Sequence, residues 1–464
     1  MNKRTFLKTS AMLGIGSIAG LSAIGKSSDT IPELPTDGGA PDDEQFWANV
    51  RGGYRLKPDY INLENGYYCI QPQEILMKYF KHIQEVNLQG AYYMRTVQFD
   101  NKKAVATKLA ELAGVSAEEL NITRNTTESL DMVIMGLDWK PGDEAVMAEQ
   151  DYGAMLDMFK QTAKRYGSVN KIISIPMDPK NDEEIVQLYA NAITPKTKLL
   201  MVCHMINITG HILPVRKICD MAHSKGVPVL VDGAHAFAHL NFKISDLNCN
   251  YYGCSLHKWL SVPIGAGMLY VKKENISKVW PIFAEGGKKD DDILRLNHTG
   301  THPPATDLTI ADAIDYYNKI GADRKEARLR YLQNYWVDKV RDVKKLVINT
   351  PTDRTRSCAI GNVGVKGMKP ADMAKTLLDK YKIYTVAIDG AGVHGCRITP
   401  NVYTTTEDLD ALVLAVGDVD AVALVDFDEV DDGEFARAAA GLAEGLAGAS
   451  APVQARDRQA LLRL

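Results

Sequence analysis

Short apolar runs separated by amphipathic stretches organise the chain from Phe46 to about Val416. Three runs rich in Val, Leu, Ile and Met stand out: KLLMVCHMI (198–206), VPVLVDGA (227–234) and AGMLYVKK (266–273). They are apolar at successive positions rather than alternate ones, the pattern of strands buried on both faces of a parallel sheet. Between such runs lie patterns of helical period, such as NKKAVATKLAELAG (101–114) and VRKICDMAHSKG (215–226). Each closes on glycine, as a helix C-terminus does. This alternation over several hundred residues predicts an α/β fold with a mainly parallel central sheet.

A different rhythm follows Pro304. Residues 305–343 form one long amphipathic stretch, predicted as two helices separated near Gly321. They lead into a smaller α+β domain with a strand within 358–367, a helix over 370–381, a strand over 382–388 and a last helix from Glu407. The expected division is a large domain over 60–304 and a small domain over 305–417. Residues 27–59 are expected to be a linker and N-terminal arm, Pro/Gly/Asp-rich as far as residue 45. No internal repeat is present.

The two ends differ from the body. Residues 1–26 join a basic start, MNKRTFLK, to a weakly apolar Gly/Ser/Ala-rich stretch, the layout of an export signal. KRTFLK resembles a twin-arginine signal with Lys3 in place of the first arginine; the general secretory route is the alternative. The expected location is the periplasm, or the cytoplasm if the signal is unused. Residues 418–464 form an Ala/Gly-rich tail to which the sequence assigns no role.

Composition narrows the class. Of 464 residues, 45% are hydrophobic and 24% charged, which excludes wholesale disorder. Lys and Arg number 54 against 58 Asp and Glu, so no basic excess points to nucleic acid. No apolar run after the first 30 residues is long enough to span a bilayer. Seven scattered cysteines with no CxxC pair do not make a disulfide framework.

The candidate chemistry centres on a carboxylate and a lysine. VLVDGAHA places Asp232 at the end of an apolar strand, and SLHKW places Lys258 in a polar turn with Gly265 and Gly267 close behind. Ligands of open α/β sheets bind at the carboxyl ends of strands. An acid and a lysine meeting there suit pyridoxal phosphate: the lysine forms a Schiff base, and the acid keeps the pyridine nitrogen protonated. A buried Asp–Lys ion pair explains the same two residues equally well.

Read together, VDGAHA, SLHKW with PIGAGMLYV, and HTGTHPPA resemble the class V aminotransferase family of fold type I pyridoxal-phosphate enzymes. Within it the chain looks most like the isopenicillin N epimerase-like branch, and the resemblance runs from about Tyr60 to about Val416. It implies pyridoxal 5'-phosphate as cofactor and an amino-acid-like small molecule as substrate. It also implies a homodimer. Lys258 matches the Schiff-base lysine and Asp232 the acid at the pyridine nitrogen. His235 and Asn207 take places beside the cofactor's phenolic oxygen. Thr126 and Thr127, in NTTES, resemble the phosphate loop at a helix N-terminus, where free N–H groups favour an anion. Ser255 and His257 add phosphate bonds. Tyr152 matches the ring stacked on the pyridine. Gly300 and Thr301 resemble the segment reaching across the dimer to the partner's phosphate. Arg397, in CRITPNVY, matches the clamp on the substrate carboxylate.

Plainer readings stand beside these. Thr126 and Thr127 suit an ordinary N-cap, Tyr152 a core tyrosine, and Arg397 a surface arginine. His235 and His239, at i and i+4, suit a metal pair, and with His204 and His211 a metal-dependent hydrolase, although no third ligand falls in a recognisable pattern. Tyr67, Tyr68, Tyr92, Tyr93 and Arg95 are candidates near the substrate. Cys358 and Cys396 lack the loop context of a desulfurase nucleophile and are expected to be buried, inert thiols. The expected activity is chemistry at an amino acid's α-carbon, by aminotransferase or epimerase; the alternatives are a C–S lyase or desulfurase and a non-catalytic cofactor-binding protein.

Overall fold

The computed structural model describes Leu34 and residues 38–419. The export segment and nearly all of the Ala/Gly-rich tail lie outside the described residues. The strands are β1 (Ile61–Asn62), β2 (Leu120–Thr123), β3 (Glu144–Ala148), β4 (Val169–Ile173), β5 (Thr197–Cys203), β6 (Val229–Asp232), β7 (Tyr251–Ser255) and β8 (Gly267–Val271), followed by β9 (Leu346–Ile348), β10 (Gly361–Val365), β11 (Ile383–Tyr384), β12 (Val386–Gly390) and β13 (Val393–Ile398). Seven of them form the central sheet in the order β2-β8-β7-β6-β5-β3-β4. The pairs from β7 through to β4 are parallel. The arrangement is the fold type I architecture expected from the sequence.

Both faces of this sheet are buried, which is why its strands lack alternation. Along β5, Leu200 and Val202 enter one apolar cluster while Leu199 and Met201 enter another on the opposite face. Helices with one apolar stripe cover each face. Val215–Ser224, for example, buries Val215, Ile218, Cys219 and Ala222 at helical spacing.

Two expectations about strands are corrected. AGMLYVKK does not continue the parallel set, because β8 runs antiparallel to both β7 and β2. Residues 256–266 are too few for a helical crossover, so the chain turns back on itself. That return loop carries Lys258. The single strand expected over 382–388 is two. Ile383–Tyr384 pairs parallel with β1, and from Val386 the chain joins an antiparallel sheet of order β12-β13-β10-β9.

The helices Pro304–Ile320 and Ala322–Val340 meet at Gly321, whose φ of +88° suits glycine. The N-terminal arm holds a feature the composition did not show. Glu44–Gly52 is a helix capped by Asp43, with Phe46, Trp47 and Val50 buried. Arg328, fully buried, grips Glu44 through both terminal nitrogens and spreads over the Trp47 ring. Among the described residues no helix is long and apolar enough to cross a membrane.

Candidate active site

The candidate residues gather at the carboxyl ends of the central strands. Asp232 ends β6, Ser255 ends β7, and the helix Thr126–Gly136 starts just after β2. Asn125, not either threonine, is the N-cap of that helix, its side chain accepting from the Glu128 amide at 2.9 Å. Thr126 and Thr127 therefore sit in the first turn, where backbone N–H groups have no acceptor within the helix. Ser255 Oγ lies 2.9 Å from the Thr126 amide and 2.7 Å from its hydroxyl. This is an anion cradle: two hydroxyls and a helix N-terminus in one place. Gly267 makes room for it, since a Cβ there would lie 2.7 Å from the Asn125 backbone.

Lys258 Nζ stands 3.1 Å from His235 Nε2 and forms no ion pair with Asp232. The plain Asp–Lys pair is thereby set aside. Burial lowers the Lys258 amine to about 8; Asp232 opposes the shift and Arg397 adds to it. Burial likewise holds His235 neutral, helped by the nearby Lys258 and Arg397 charges. Its Nδ1 is buried with no partner, as is Nδ1 of His257. Asp232 accepts the Ala234 amide at 3.0 Å, and burial raises its carboxyl despite that bond.

A buried lysine free of carboxylate contact, an acid at the neighbouring strand end, orphaned imidazole nitrogens and a helix N-terminus lined by two hydroxyls fit pyridoxal phosphate in kind. Lys258 would bond the cofactor's aldehyde carbon, Asp232 would face the ring nitrogen, and Thr126, Thr127, Ser255 and His257 would hold the phosphate.

The other candidates divide. Tyr152 is 44% exposed at the start of the helix Gly153–Tyr166, so it is no core tyrosine and its ring is available for stacking. Gly300 and Thr301 are exposed and touch none of the other candidate residues by hydrogen bond. Asn207 contributes its backbone, its carbonyl accepting from Arg397 Nη1 at 3.2 Å. Arg397 is 7% exposed and not a surface residue. His239 stacks on Trp259 and uses both ring nitrogens, towards the His235 carbonyl and the Ala359 amide. His204 packs against Phe242 instead of joining it. Among the described residues no three His, Cys, Asp or Glu side chains are placed to hold a metal ion.

Three contributors escaped the sequence reading. Glu64 accepts Arg397 Nη2 at 2.5 Å and Nε at 3.2 Å. Lys325, buried and lowered to about 8 by burial, donates to the Trp259 carbonyl and so pins the residue after Lys258. Asp151, behind Tyr152, is pushed up to about 7 by burial, and the nearby Asp232 charge adds to that rise. Only Asp151 carried a sequence signal, as the neighbour of Tyr152 at the end of an apolar strand.

All seven cysteines are buried. Cys358 lies in a turn before β10 rather than in a strand, yet burial pushes its thiol up to about 12; Cys396, in β13, reaches about 11. Neither is a poised nucleophile.

Buried ionisable groups also set the acid sensitivity. Burial holds six histidines neutral: His204, His211, His257 and His302 at about 4, and His235 and His239 well below the usual range. It pushes Asp131 and Asp151 up to about 7 and Asp307 to about 6. Between pH 6 and 4, unfolding lets six imidazoles bind protons and four carboxyls, Asp232 among them, release them, a net uptake of about two protons. Stability should fall as pH falls through that window. Urea midpoints at pH 6.5 and 4.5 check this, and a higher midpoint at 4.5 contradicts it.

The fold and this site define a fold type I pyridoxal-phosphate enzyme. The chain belongs to the aminotransferase class-V family, whose model matches residues 71–412. It is a pyridoxal 5'-phosphate enzyme acting at the α-carbon of an amino acid or amino-acid-like substrate. It is 25% identical over 392 residues to isopenicillin N epimerase of Streptomyces clavuligerus, covering 80% of this chain and 97% of that one. It is 30% identical over 332 residues to a probable cysteine desulfurase of Halobacterium salinarum, covering 66% and 78%. Among solved structures, the cysteine desulfurase of Thermococcus onnurineus superposes with a TM-score of 0.71 at 21% identity, covering 80% and 96%. The cystine C–S lyase C-DES, with its product cysteine persulfide, gives 0.71 at 20%, covering 78% and 98%.

Proposed function

We propose that the protein removes and returns the α-proton of a substrate amine, as an epimerase or an aminotransferase, with Lys258 as the proton-carrying base. The observation that carries this is the buried Lys258 amine, paired with neutral His235 and with no carboxylate. When bound, pyridoxal phosphate supplies an electron sink for the charge left on the α-carbon. Asp232 would hold a proton at the ring nitrogen of the bound cofactor. Lys258, lowered to about 8, loses its own proton readily near neutral pH and is then a base. His235 accepts a hydrogen bond from Lys258 Nζ and holds it in place. Burial of every cysteine speaks against the desulfurase reading.

Exchange of the α-proton in D2O, followed by NMR over a panel of amino acids, tests the proposal. Exchange with racemisation supports epimerisation, and exchange with keto-acid formation supports transamination. Release of sulfide without α-proton return supports the lyase instead, and no exchange with any amine supports a non-catalytic binder.

Ser255→Ala removes one hydroxyl from the phosphate cradle. Cofactor affinity should fall roughly 10- to 100-fold, as for a hydrogen bond to a charged group. Titration of the visible band measures it; an unchanged affinity would place the phosphate elsewhere.

The homodimer belongs to the same reading. Met77, Phe80, Ile83 and Leu88 are exposed on the helix Gln73–Gln89, with Tyr92 and Phe99 beyond its end, apolar side chains of the kind a partner copy would cover. Light scattering at the mass of two chains supports it. Export rests on the N-terminal pattern alone, and finding the full-length chain only in the cytoplasm would overturn it.

A further inference from the structure

Arg397 is already answered by the protein. Glu64 takes the Nε and Nη2 edge of the guanidinium at 3.2 and 2.5 Å, and the Asn207 carbonyl takes one Nη1 donor. Both charged groups are buried, Arg397 at 7% and Glu64 at 8% exposure. Of five N–H groups, three are therefore engaged, leaving one on each terminal nitrogen.

The loop carrying Glu64 is built, not draped. Glu64 bridges to Thr399 beside Arg397's strand, and its Oε1 also accepts the Tyr67 amide at 2.9 Å. Thr399 Oγ1 accepts the amides of Asn65 and Gly66 at 2.6 and 3.1 Å, and the Asn65 side chain donates to the Thr399 carbonyl at 2.7 Å. Gly66 lies against the guanidinium itself: a Cβ there would meet Arg397 Cζ and Nη2 at 2.9 Å. Arg397 is thus fixed on one edge and one face.

The charge of Arg397 is balanced without substrate. The Arg397 guanidinium and the Glu64 carboxylate already cancel each other's charge. A substrate carboxylate arriving at Arg397 meets a neutral pair instead of a bare cation, and its own charge is left over in a buried site.

We infer that Glu64 is a positioning residue that makes Arg397 a hydrogen-bond donor rather than a charge selector, so that the site accepts amines whose α-carbon carries a neutral carbonyl, such as an amino-acid amide or the first residue of a peptide. This rests on the pyridoxal-phosphate reading above, with Arg397 beside the substrate. The Lys258 amine reports on the same pair, since Arg397 pulls its pKa down and Glu64 pushes it up.

The test uses the cofactor-loaded full chain. Dissociation constants of an amino acid and of its carboxamide are measured from the visible spectrum, with the same two ligands repeated by calorimetry. In wild type they should agree within about tenfold, because little net charge is recognised. In Glu64→Gln, which keeps an acceptor but removes the charge, the amino acid should bind at least about tenfold tighter than in wild type and the amide unchanged. The pH midpoint of the visible band should move down in the same variant. A wild-type preference for the carboxylate above about 100-fold overturns the inference, and this arm needs no variant to fold. Unchanged constants and midpoint in a folded Glu64→Gln overturn it as well, because a merely structural role moves neither. Arg397→Met separates the two levels. If neither ligand loses affinity in it, the placement of Arg397 beside the substrate fails; if both lose affinity while Glu64→Gln changes nothing, only the role of Glu64 fails.

Discussion

Lys258→Ala is expected to abolish the visible band given by pyridoxal 5'-phosphate and to lower turnover by roughly ten-thousand-fold or more. The substitution removes both the covalent attachment point and the base, and no second amine stands by. Lys325, the other buried lysine nearby, is committed to the Trp259 carbonyl. The variant should still fold. Lys258 Nζ has one hydrogen-bond partner, His235, and no ion pair, so its loss leaves no charge unanswered. Burying that amine is itself unfavourable, as its lowered pKa records. Thermal melting of the cofactor-free chain should therefore be little changed or slightly raised, while the absorbance scan loses its band. Turnover within tenfold of wild type would end the assignment of Lys258 as the base.

Gly210→Ala is expected to be the most damaging small substitution for stability. Gly210 has φ +77°, and a Cβ there would lie 1.9 Å from the Ile360 carbonyl oxygen and 2.8 Å from its carbon. Backbone meets backbone, so no side chain can swing away. The left-handed conformation alone costs a non-glycine residue about 1–2 kcal/mol. With the clash, the total should exceed about 4 kcal/mol, which only named defects of this kind reach. The loop is held on both sides. The Gly210 amide donates to the Ile206 carbonyl at 2.8 Å, and the Ile212 amide to the Arg356 carbonyl at 2.8 Å. Asn207 sits on this loop and holds Arg397, so substrate affinity should fall along with stability. A drop in Tm of roughly 5–10 °C is expected; a change below about 1 °C would show that the loop shifts freely.

The positions of Lys258 and Asp232 were legible because local chemistry is written locally. An apolar run ending in an acid predicts a strand end, and in a doubly wound sheet strand ends are where ligands bind. The helix over 370–381 and the break at Gly321 were legible for the same reason, since period and punctuation are properties of neighbouring residues. The direction of β8 was not. A strand buried on both faces has the same composition whether parallel or antiparallel, and only the shortness of residues 256–266 held the answer. Nor was the split at Thr385, because one apolar run gives no sign that it serves two sheets.

The sequence by itself determined the α/β class, the placement of Asp232 and Lys258 at the carboxyl ends of strands, a helix N-terminus beside Thr126 and the burial of Cys358 and Cys396. Each depends on residue type and near neighbours. The tertiary structure alone decided what those groups face. It set His235 rather than Asp232 against Lys258, and put Lys325 on the carbonyl after it. It also brought Glu64 to Arg397 across 333 positions of chain. Pairings of that span follow from how strands are ordered in the sheets, and the ordering is settled by packing both apolar faces at once. No stretch of sequence records it, so the charge balance that sets specificity is a property of the fold.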